Sequence, residues 1–429
     1  MQLYPTTFNQ ASRCEWVSRH PGVLPPEVSA IRITGWFDPD VFQQAVSDLV
    51  VHHESLRTNF PVLDGQRWQR VLPAMRLTVE TYNLSHLQAA ARDCAIREVF
   101  ARYLADGFDI EKDVLIRPFL LCLSACDFIA GASIDHGIVD ASSIAVMWED
   151  LFDLYSSLAS GRPPEKTPAA FQLKDFAAWQ RQRISGTFLE RLRQFWQQKF
   201  TNLPPPIHWD TERPRPERFT FRSRRLKWRA GSSVTSRMKR AANAQGTTVG
   251  TVLTAVLAAV VQRSSDQREF LIQGMIANRR QPQLERVVGF LANAVILRIR
   301  VPEGRGFVEV LRSVRTSAVE AYAHGELPTA LIIPLIGPAK SPSYGIRPQV
   351  SHLHRTLRKL RLPSVPQLSL VPFAADSDQT EGSWTYDIVL ITQDEGNDIE
   401  FALWYNEDVF DIPSIDRLMA RFMDVCEQV

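Results

Sequence analysis

The residues best suited to chemistry lie in one short window, Ile134-Asp135-His136-Gly137-Ile138-Val139-Asp140-Ala141. The window follows an apolar, strand-like stretch and precedes a helix-like one, and side chains at strand ends are both exposed and rigidly held. Histidine titrates near neutrality, so His136 is a candidate general base. Asp140, four residues later, is placed to orient His136 or to brace the loop. The alternative is an ordinary structural pair, because a histidine and a carboxylate at this spacing form a loose pattern.

Composition excludes several other kinds of function. The 429 residues carry a net charge of +2, which argues against a nucleic-acid or membrane-surface partner. No apolar run reaches the roughly 18 residues that a membrane span needs, and the first residues lack the features of a signal peptide. The five cysteines form no paired spacing, and no Cys/His cluster has the spacing of metal ligands. We therefore expect a cytoplasmic protein without a bound metal.

The elements that must position this window alternate between helices and strands. Hydrophobic periodicity and capping residues predict helices at 38–51, 93–106, 141–158, 232–243, 247–263, 306–323 and 412–428, with an aromatic-rich helical stretch at 171–200. Two strands around a turn are predicted within 115–135, and others at 270–277, 295–302, 386–392 and 399–405. The Gly- and Pro-rich stretches 161–168 and 204–218 are predicted loops. The simplest arrangement is two related α/β lobes, with 160–215 crossing between them.

The window also resembles a family motif. Asp135-His136-x-x-x-Asp140-Ala141 is similar to the His-His-x-x-x-Asp-Gly motif of the condensation domains of nonribosomal peptide synthetases, with the second histidine and the aspartate retained. Six further segments resemble that family in the expected order: YPTTFNQASRCEW (4–16), HHESLRTNF (52–60), LKDFAAWQ (173–180), ERPRPERFTFRSRRL (212–226), ANRRQPQLERVVGFLANAVILR (277–298) and YNEDVFD (405–411). By this resemblance the chain is identified as a member of the family along nearly its whole length.

The resemblance implies an α/β fold of two chloramphenicol-acetyltransferase-like lobes, arranged as a V-shaped pseudodimer with a tunnel between them. The expected division is an N-terminal lobe at 1–165, a crossover at 166–215 and a C-terminal lobe at 216–429. His136 inherits the position where the donor and acceptor arms meet. Gly137, Gly289 and Asn293 are expected to line the substrate tunnel.

The resemblance gives the remaining motif residues supporting positions. It implies that Asp140 pairs with an arginine of the second lobe, which is Arg279, or Arg280 if the register slips by one residue. Asp135 stands where the family has its first histidine. Because neighbouring side chains of a strand point to opposite faces, Asp135 is expected to face away from the tunnel, to bind loop amides and to tolerate replacement by histidine. Ala141 replaces a glycine and is expected to narrow the tunnel or to shift a backbone amide.

The activity implied is that of an acyltransferase. It would move an acyl group from a carrier-protein phosphopantetheine thioester to an amine or alcohol in natural-product biosynthesis, including that of antibiotics. No cofactor is expected on the protein itself, because phosphopantetheine arrives on the substrate. Since the chain ends soon after its closing segment, carrier proteins are expected to act in trans. Two alternatives stay open: an inactive scaffold that recruits a carrier protein or a tailoring enzyme, and an acyltransferase that uses coenzyme A thioesters.

Several other residues have both a functional and an ordinary interpretation. The run from Arg213 to Arg229 contains eight basic residues, Arg213, Arg215, Arg218, Arg222, Arg224, Arg225, Lys227 and Arg229, against the single acid Glu217. It is either a solvated linker and strand face or a docking surface for an acidic carrier protein. His52, His53 and His324 lack catalytic partners in the sequence and are predicted to be structural or on the surface.

Overall fold

The chain divides into two compact units. The computed structural model describes residues 2–163, 169–211, 213–214, 216, 219–304, 306–336, 349–356, 367–374, 382–383 and 386–429. Unit 1 comprises the described parts of Met1–Ile184, Ala277–Ala292 and Arg358–Ser377, and unit 2 those of Ser185–Ile276, Asn293–Leu357 and Asp378–Val429. The chain therefore leaves unit 1 and returns to it twice.

Helices and strands alternate along the described residues. The strands are β1 (Gln2–Pro5), β2 (Glu27–Gly35), β3 (Thr58–Asn59), β4 (Val62–Leu63), β5 (Gln66–Val71), β6 (Glu80–Asn83), β7 (Ile116–Ser124), β8 (Asp127–Ile134), β9 (Arg222–Arg229), β10 (Glu269–Ile276), β11 (Asn293–Arg300), β12 (Val350–Thr356), β13 (Leu368–Phe373), β14 (Gly382–Ser383), β15 (Ile388–Asp394) and β16 (Ile399–Asn406). The helices are α1 (Phe8–Arg19), α2 (Pro39–His52), α3 (Ala89–Ala105), α4 (Ala141–Ser160), α5 (Leu173–Arg183), α6 (Gly186–Lys199), α7 (Gly231–Ala244), α8 (Val249–Ser265), α9 (Phe307–Ala323), α10 (Thr329–Ile332) and α11 (Ile412–Gln428).

Unit 1 is built on a five-stranded sheet with the strand order β13-β2-β8-β7-β6. Side chains of β8 alternate between its two faces, as the pleat requires. Ala130 packs in the cluster formed with α2 and α4, whereas its neighbour Ile129 packs in the cluster formed with α3. Helices thus cover both faces, and β8 ends at Ile134, two residues before His136.

A smaller sheet in unit 1 joins β1, β5 and β3, with β4 pairing with β5. All of its pairs are antiparallel. Helix α1 follows β1 directly, and its first turn is closed by a capping box between Thr7 and Gln10. This arrangement anchors α1 near the start of the chain, where it contributes Gln10 and Arg13 to the loop that carries His136.

Unit 2 contains a seven-stranded sheet with the order β11-β10-β12-β15-β16-β9-β14. Strand β12 is parallel to both β10 and β15, and the other pairs are antiparallel. Helix α8 supplies much of the core, because nearly all of its residues between Gly250 and Val261 are buried. Thr248 caps its N-terminus by accepting a hydrogen bond from Thr251 N.

The prediction of a mixed α/β fold is confirmed. The predicted helix at 141–158 is α4, and the two strands predicted within 115–135 are β7 and β8. The aromatic-rich stretch forms α5 and α6, which are separated at Ile184 and Ser185. Strands β2 and β13 were not predicted, although they pair with each other over six residues. A V-shaped arrangement with a tunnel remains a prediction.

The compact units differ in detail from the division expected at 165 and 215. Segment 277–292 lies in the expected C-terminal lobe but packs with unit 1, as does the described strand β13. The chain passes from unit 1 to unit 2 between Ile184 and Ser185, inside the expected crossover. Part of the predicted loop at 161–168 lies outside the described residues, which stop at 163 and resume at 169.

No single helix among the described residues is both long and apolar enough to cross a membrane. Helices α7 and α8 reach the length and apolar composition of a membrane span only when they are taken together, and a bend of 106° separates them.

Candidate active site

The centre of the motif is the carboxylate of Asp140, the N-cap residue of α4. Its Oδ1 accepts a hydrogen bond from Ser143 N at 2.9 Å, which satisfies one of the free amides of the first helical turn. Its Oδ2 accepts from the backbone amides of Leu291 at 3.1 Å and Ala292 at 3.0 Å. One buried side chain therefore both starts a helix and holds a distant segment of unit 1.

Arg279 binds the same carboxylate with two parallel hydrogen bonds. Its Nη1 lies 2.9 Å from Asp140 Oδ2, and its Nη2 lies 3.0 Å from Oδ1. Nη2 also donates to Ser143 Oγ at 2.9 Å and to Val287 O at 3.1 Å. Such a fork fixes the geometry as well as the charge of the pair. The resemblance implied this ion pair, and the partner is Arg279 rather than Arg280.

Two opposing influences act on the pKa of Asp140. Burial raises the pKa, because it disfavours the charged form. The Arg279 charge, together with hydrogen bonds from Arg279 and Ser143, outweighs burial and holds the pKa below its ordinary value. Asp140 is therefore an ionised structural group, and it does not lie within hydrogen-bond reach of His136 in any contact between described residues.

A second arginine holds segment 277–292 against α4. Arg286 pairs with Asp150 and lies 3.3 Å from Glu149, while Asp150 also contacts His53 Nε2 at 3.0 Å. His53 is almost fully buried, which supports the prediction that it is a structural residue. His324, in unit 2, stacks on Phe195 at a ring distance of 3.5 Å.

The loop that carries His136 is fixed on both sides of the histidine. Asp135 Oδ1 accepts from Gly137 N at 2.7 Å, and its Oδ2 pairs with Arg13 Nη2 at 3.0 Å. Gln10 Nε2 donates to Gly137 O at 2.9 Å. Both backbone groups of Gly137 are therefore held, and neither Asp135 nor Gly137 can turn without breaking a buried contact.

The His136 imidazole is partly accessible, with 36% of its side chain exposed. Its Nε2 lies 3.5 Å from Glu27 Oε1, at the start of β2, and its ring centroid lies 4.7 Å from that of Phe290 in a T-shaped contact. Nδ1 is buried and makes no hydrogen bond within the part of the chain that is described. Nε2 is consequently the nitrogen that is open to a reacting group.

The three predicted tunnel residues have different surroundings. A side chain at Gly137 would approach Phe60 to 2.9 Å, and one at Gly289 would approach Leu173 to 2.6 Å, so close packing explains both glycines. The Asn293 side chain, in unit 2, donates to Gly325 O and Leu327 O and accepts twice from Thr329. These four bonds use the full capacity of its amide and leave no donor for a substrate.

The expected effect of Ala141 on a tunnel remains a prediction. Ala141 is exposed at the first position of α4, where alanine is a favourable residue. Asp140, immediately before it, makes the contacts with Arg279, Leu291 and Ala292. The substitution of alanine for the family glycine therefore needs no strained backbone at this point.

Sequence reasoning missed four side chains that shape the site: Arg13, Glu27, Ser143 and Arg286. Ser143 had a readable signal, since a serine three residues after an aspartate suits the first turn of a capped helix. Arg13 and Glu27 contact the motif, and Arg286 contacts α4, only through tertiary folding. Ser143 Oγ lies 2.7 Å from Gly289 O and accepts from Gly289 N at 2.9 Å, which joins α4 to the returning segment.

Two other predictions from the sequence concern metal binding and the basic run. Among the described residues no group of three or more His, Cys, Asp or Glu side chains could hold a metal ion. Within the basic run, Arg224 pairs with Glu407, and Arg229 with Glu395 and Asp398, all on neighbouring parts of the same sheet in unit 2. Arg215, Glu217 and Arg218 lie outside the described residues.

Replacing Asp140 with alanine, or Arg279 with methionine, should lower the free energy of unfolding by about 3–5 kcal/mol, because either change leaves a buried charge unpaired. Arg280→Met, at the exposed neighbouring position, is the matched control and should change stability little. Urea denaturation measures all three. Equal losses for Arg279→Met and Arg280→Met would contradict the assignment of the pair.

The Asp140 pair also predicts the sign of an acid effect. Because the folded-state pKa lies below the ordinary value near 3.9, the pair contributes fully above that pH and its contribution is lost as pH falls through the folded pKa. Asp140→Asn should flatten this part of the stability curve between about pH 5 and pH 2. Denaturation across that range measures it, and an unchanged acid slope would contradict the prediction.

Asp135→His, expected from sequence to be tolerated, should instead destabilise the protein, since it removes the partner of the buried Arg13 guanidinium. A double-mutant cycle with Arg13→Met and Asp135→Asn should give a coupling energy of roughly 0.5–3 kcal/mol. Strictly additive effects on stability would show that the two side chains do not depend on each other.

A family model of the condensation domain matches residues 27–429. A linear gramicidin synthase from Brevibacillus parabrevis is 26% identical over 94% of this chain, and phosphinothricin tripeptide synthetase PhsB from Streptomyces viridochromogenes is 30% identical over 95%. The chain spans only 8% and 34% of these two relatives, respectively.

Solved structures agree on the fold. The X-domain from teicoplanin biosynthesis superposes with a TM-score of 0.85 at 23% identity, covering 99% of this chain and 94% of the other. The first condensation domain of the calcium-dependent antibiotic synthetase, in complex with a substrate analogue, gives 0.80 at 19% identity, covering 100% and 96%. With a family model that matches nearly the whole chain and a shared fold, this protein belongs to the condensation domain family.

Proposed function

We propose that this chain is an acyltransferase that moves an acyl group from a phosphopantetheine thioester on a carrier protein to an amine or alcohol. The observation that carries the proposal is the setting of His136. Its Nε2 is accessible, while the residues on either side are held by Arg13 and Gln10. A partly exposed histidine on a rigid loop is what general-base chemistry or the positioning of a nucleophile requires.

The proposed reaction needs no group beyond the two substrates. The nitrogen or oxygen of the acceptor attacks the thioester carbonyl carbon, and a new C–N or C–O bond forms as the C–S bond breaks. His136 Nε2 takes the proton from the attacking group and returns it to the departing sulfur, so the histidine ends unchanged. No acyl-enzyme forms on this route, and phosphopantetheine belongs to the substrate.

Glu27 is proposed to orient the imidazole. Its carboxylate lies 3.5 Å from His136 Nε2, where it can hold the ring once that nitrogen carries the proton. An imidazolium formed during the reaction would be favoured by the same negative charge. Glu27→Gln should therefore reduce the turnover number more than it changes the Michaelis constant. An equal or larger effect on the Michaelis constant would instead place Glu27 in substrate binding.

The departures at Asp135 and Ala141 are compatible with catalysis. Asp135 is ionically paired with Arg13 and holds Gly137, so the aspartate supports the loop in its own way. Ala141 is exposed at the start of α4. Neither side chain removes the accessible nitrogen of His136.

His136→Ala should fold normally and lose turnover by about 10²-fold or more, because a positioned acid–base group typically contributes that much. Mass spectrometry of a carrier loaded with an acyl group, incubated with candidate amines and alcohols, measures the transfer. His86→Ala, the same change at an exposed histidine of unit 1, is the matched control and should keep full activity. An active His136→Ala variant would remove the histidine from the chemistry.

A second candidate function is a scaffold without chemistry. It is favoured by the altered motif and by the similarity in fold to the teicoplanin X-domain, which has been solved in a complex with OxyB. Wild-type protein that turns over no loaded carrier, yet binds a carrier or a tailoring enzyme, would support the scaffold. Transfer from acyl coenzyme A at a rate equal to that from the loaded carrier would support the third alternative, an enzyme that uses coenzyme A.

A further inference from the structure

A cavity of about 130 Å³ lies inside unit 2. The first turns of α8 form one wall, with Gly250 and Thr254, and strand β10 forms another, with Gln273 and Gly274. His352 and His354 of β12 and Tyr322 of α9 complete the lining. Every one of these residues belongs to unit 2, so the cavity is distinct from the His136 loop of unit 1.

The hydrogen bonds around His352 determine which of its nitrogens carries the proton. Thr254 Oγ1 donates its single hydroxyl proton to Gly250 O at 2.8 Å. It must therefore accept from His352 Nδ1, which lies 2.7 Å away. His352 Nε2 is then an acceptor, and the Thr392 hydroxyl, at 3.0 Å, donates to it.

The same reasoning extends to His354. Because the Thr392 proton is given to His352, the contact of 2.8 Å between Thr392 Oγ1 and His354 Nδ1 requires the proton to be on His354 Nδ1. His354 Nε2 is left as a bare acceptor. It makes no hydrogen bond with any residue in the described part of the chain, and the side chain lines the cavity.

Gln273 lies next to Gly274 in β10, so its side chain points to the face of the sheet opposite that of Gly274 and His352. Its Oε1 accepts from the Tyr386 hydroxyl at 2.9 Å, which fixes the side chain with its amide N–H groups on the other side. The contact made by Nε2 within the described residues is with Met275 Sδ at 3.9 Å, and a thioether is a weak acceptor. The cavity thus offers a strong acceptor, His354 Nε2.

Two glycines leave the room that a ligand needs. A side chain at Gly274 would meet its neighbours only at 3.6 Å or more, so packing does not demand glycine there. Glycine weakens the interior of a strand and often marks a close approach by a ligand. At Gly250 a side chain would reach 2.8 Å from the His354 ring, so this glycine gives the ring its position.

The lining carries no charge at neutral pH. None of the residues that line the cavity is an Asp, Glu, Lys or Arg. Burial lowers the pKa of His352 to about 3 and also lowers the pKa of His354, so both rings are uncharged. A charged ligand would lose its hydration without gaining a partner, whereas a neutral polar group would not.

We infer that this cavity is a binding site for a small uncharged molecule that carries a hydroxyl or a primary amide. The ligand O–H or N–H donates to His354 Nε2. An engineered cavity of about 150 Å³ holds benzene, so a phenol-sized ligand suits the volume. The inference does not depend on the proposed acyl transfer.

Titration with phenol, followed by NMR of the histidine ring nitrogens, tests the site directly. Phenol should cause saturable shifts at His354. Anisole has nearly the same shape but no O–H, and should bind about tenfold more weakly because one hydrogen bond is lost. Benzoate should not bind. Anisole binding as tightly as phenol, or ring shifts showing His354 Nδ1 without its proton, would overturn the inference.

Two variants separate binding from folding. Gly274→Val fills the cavity and should abolish the phenol shifts, while Gly107→Val, at an exposed glycine with open space around it, should leave them intact. His354→Asn keeps a donor for Thr392 but removes Nε2, and should weaken phenol binding about tenfold without unfolding the protein. Unchanged phenol binding in His354→Asn would place the ligand elsewhere.

The phenol group could belong to a free molecule or to the side chain of a carried substrate. Repeating the titration with a carrier protein bearing a tyrosyl thioester distinguishes these sources. Shifts at His354 with the tyrosyl carrier identify the carried side chain, and shifts with free phenol alone identify a free ligand. Shifts with neither would overturn the site.

Discussion

The carboxylate of Asp140 is the constraint on which the rest of unit 1 depends. It caps α4, it binds the Arg279 guanidinium, and it accepts the amides of Leu291 and Ala292. A single buried charge thus ties together the strand end, the following helix and an arginine 139 residues further along the chain. Removing any one partner leaves an unsatisfied buried group, which is why these contacts depend on one another.

A similar arrangement supports the loop that carries His136. In place of the first histidine of the family motif the chain has Asp135, whose charge is met by Arg13 from α1. One Asp135 oxygen holds the Gly137 amide while the other holds the guanidinium. The imidazole between them keeps an accessible Nε2, because the contacts that stiffen the loop are made by its neighbours. The support of the loop and the exposed imidazole therefore belong to adjacent residues, as alternation along a strand end allows.

Unit 2 has a polar core of a different kind. The hydrogen bonds around His352 and His354 form a chain that begins at the Gly250 carbonyl and ends at the unbonded Nε2 of His354. Every group in this chain is uncharged. Low polarity strengthens such a chain and also makes each unpaired group costly. Unit 1 thus relies on buried ion pairs, and unit 2 on neutral hydroxyl–imidazole contacts. A molecule that binds near the first set of contacts would meet charged groups, whereas one that binds near the second would meet uncharged hydrogen-bonding groups.

The sequence alone determined the alternation of helices and strands, because periodicity and capping are local properties. Helix α4, with Asp140 at its start, and the β7–β8 pair before it could be predicted from neighbouring residues. It also indicated His136, Asp140 and Arg279 through the family motif. Only the tertiary structure decided that segment 277–292 belongs to unit 1 and that β13 pairs with β2. It also decided that Arg13 and Glu27 reach the motif and that Arg286 reaches α4. These contacts join residues more than a hundred positions apart, and no local pattern records which distant side chain will neutralise a buried charge. The same distance explains why Asp135 looked replaceable from sequence: its partner is Arg13, 122 positions away, so the effect of removing it is set entirely by the fold.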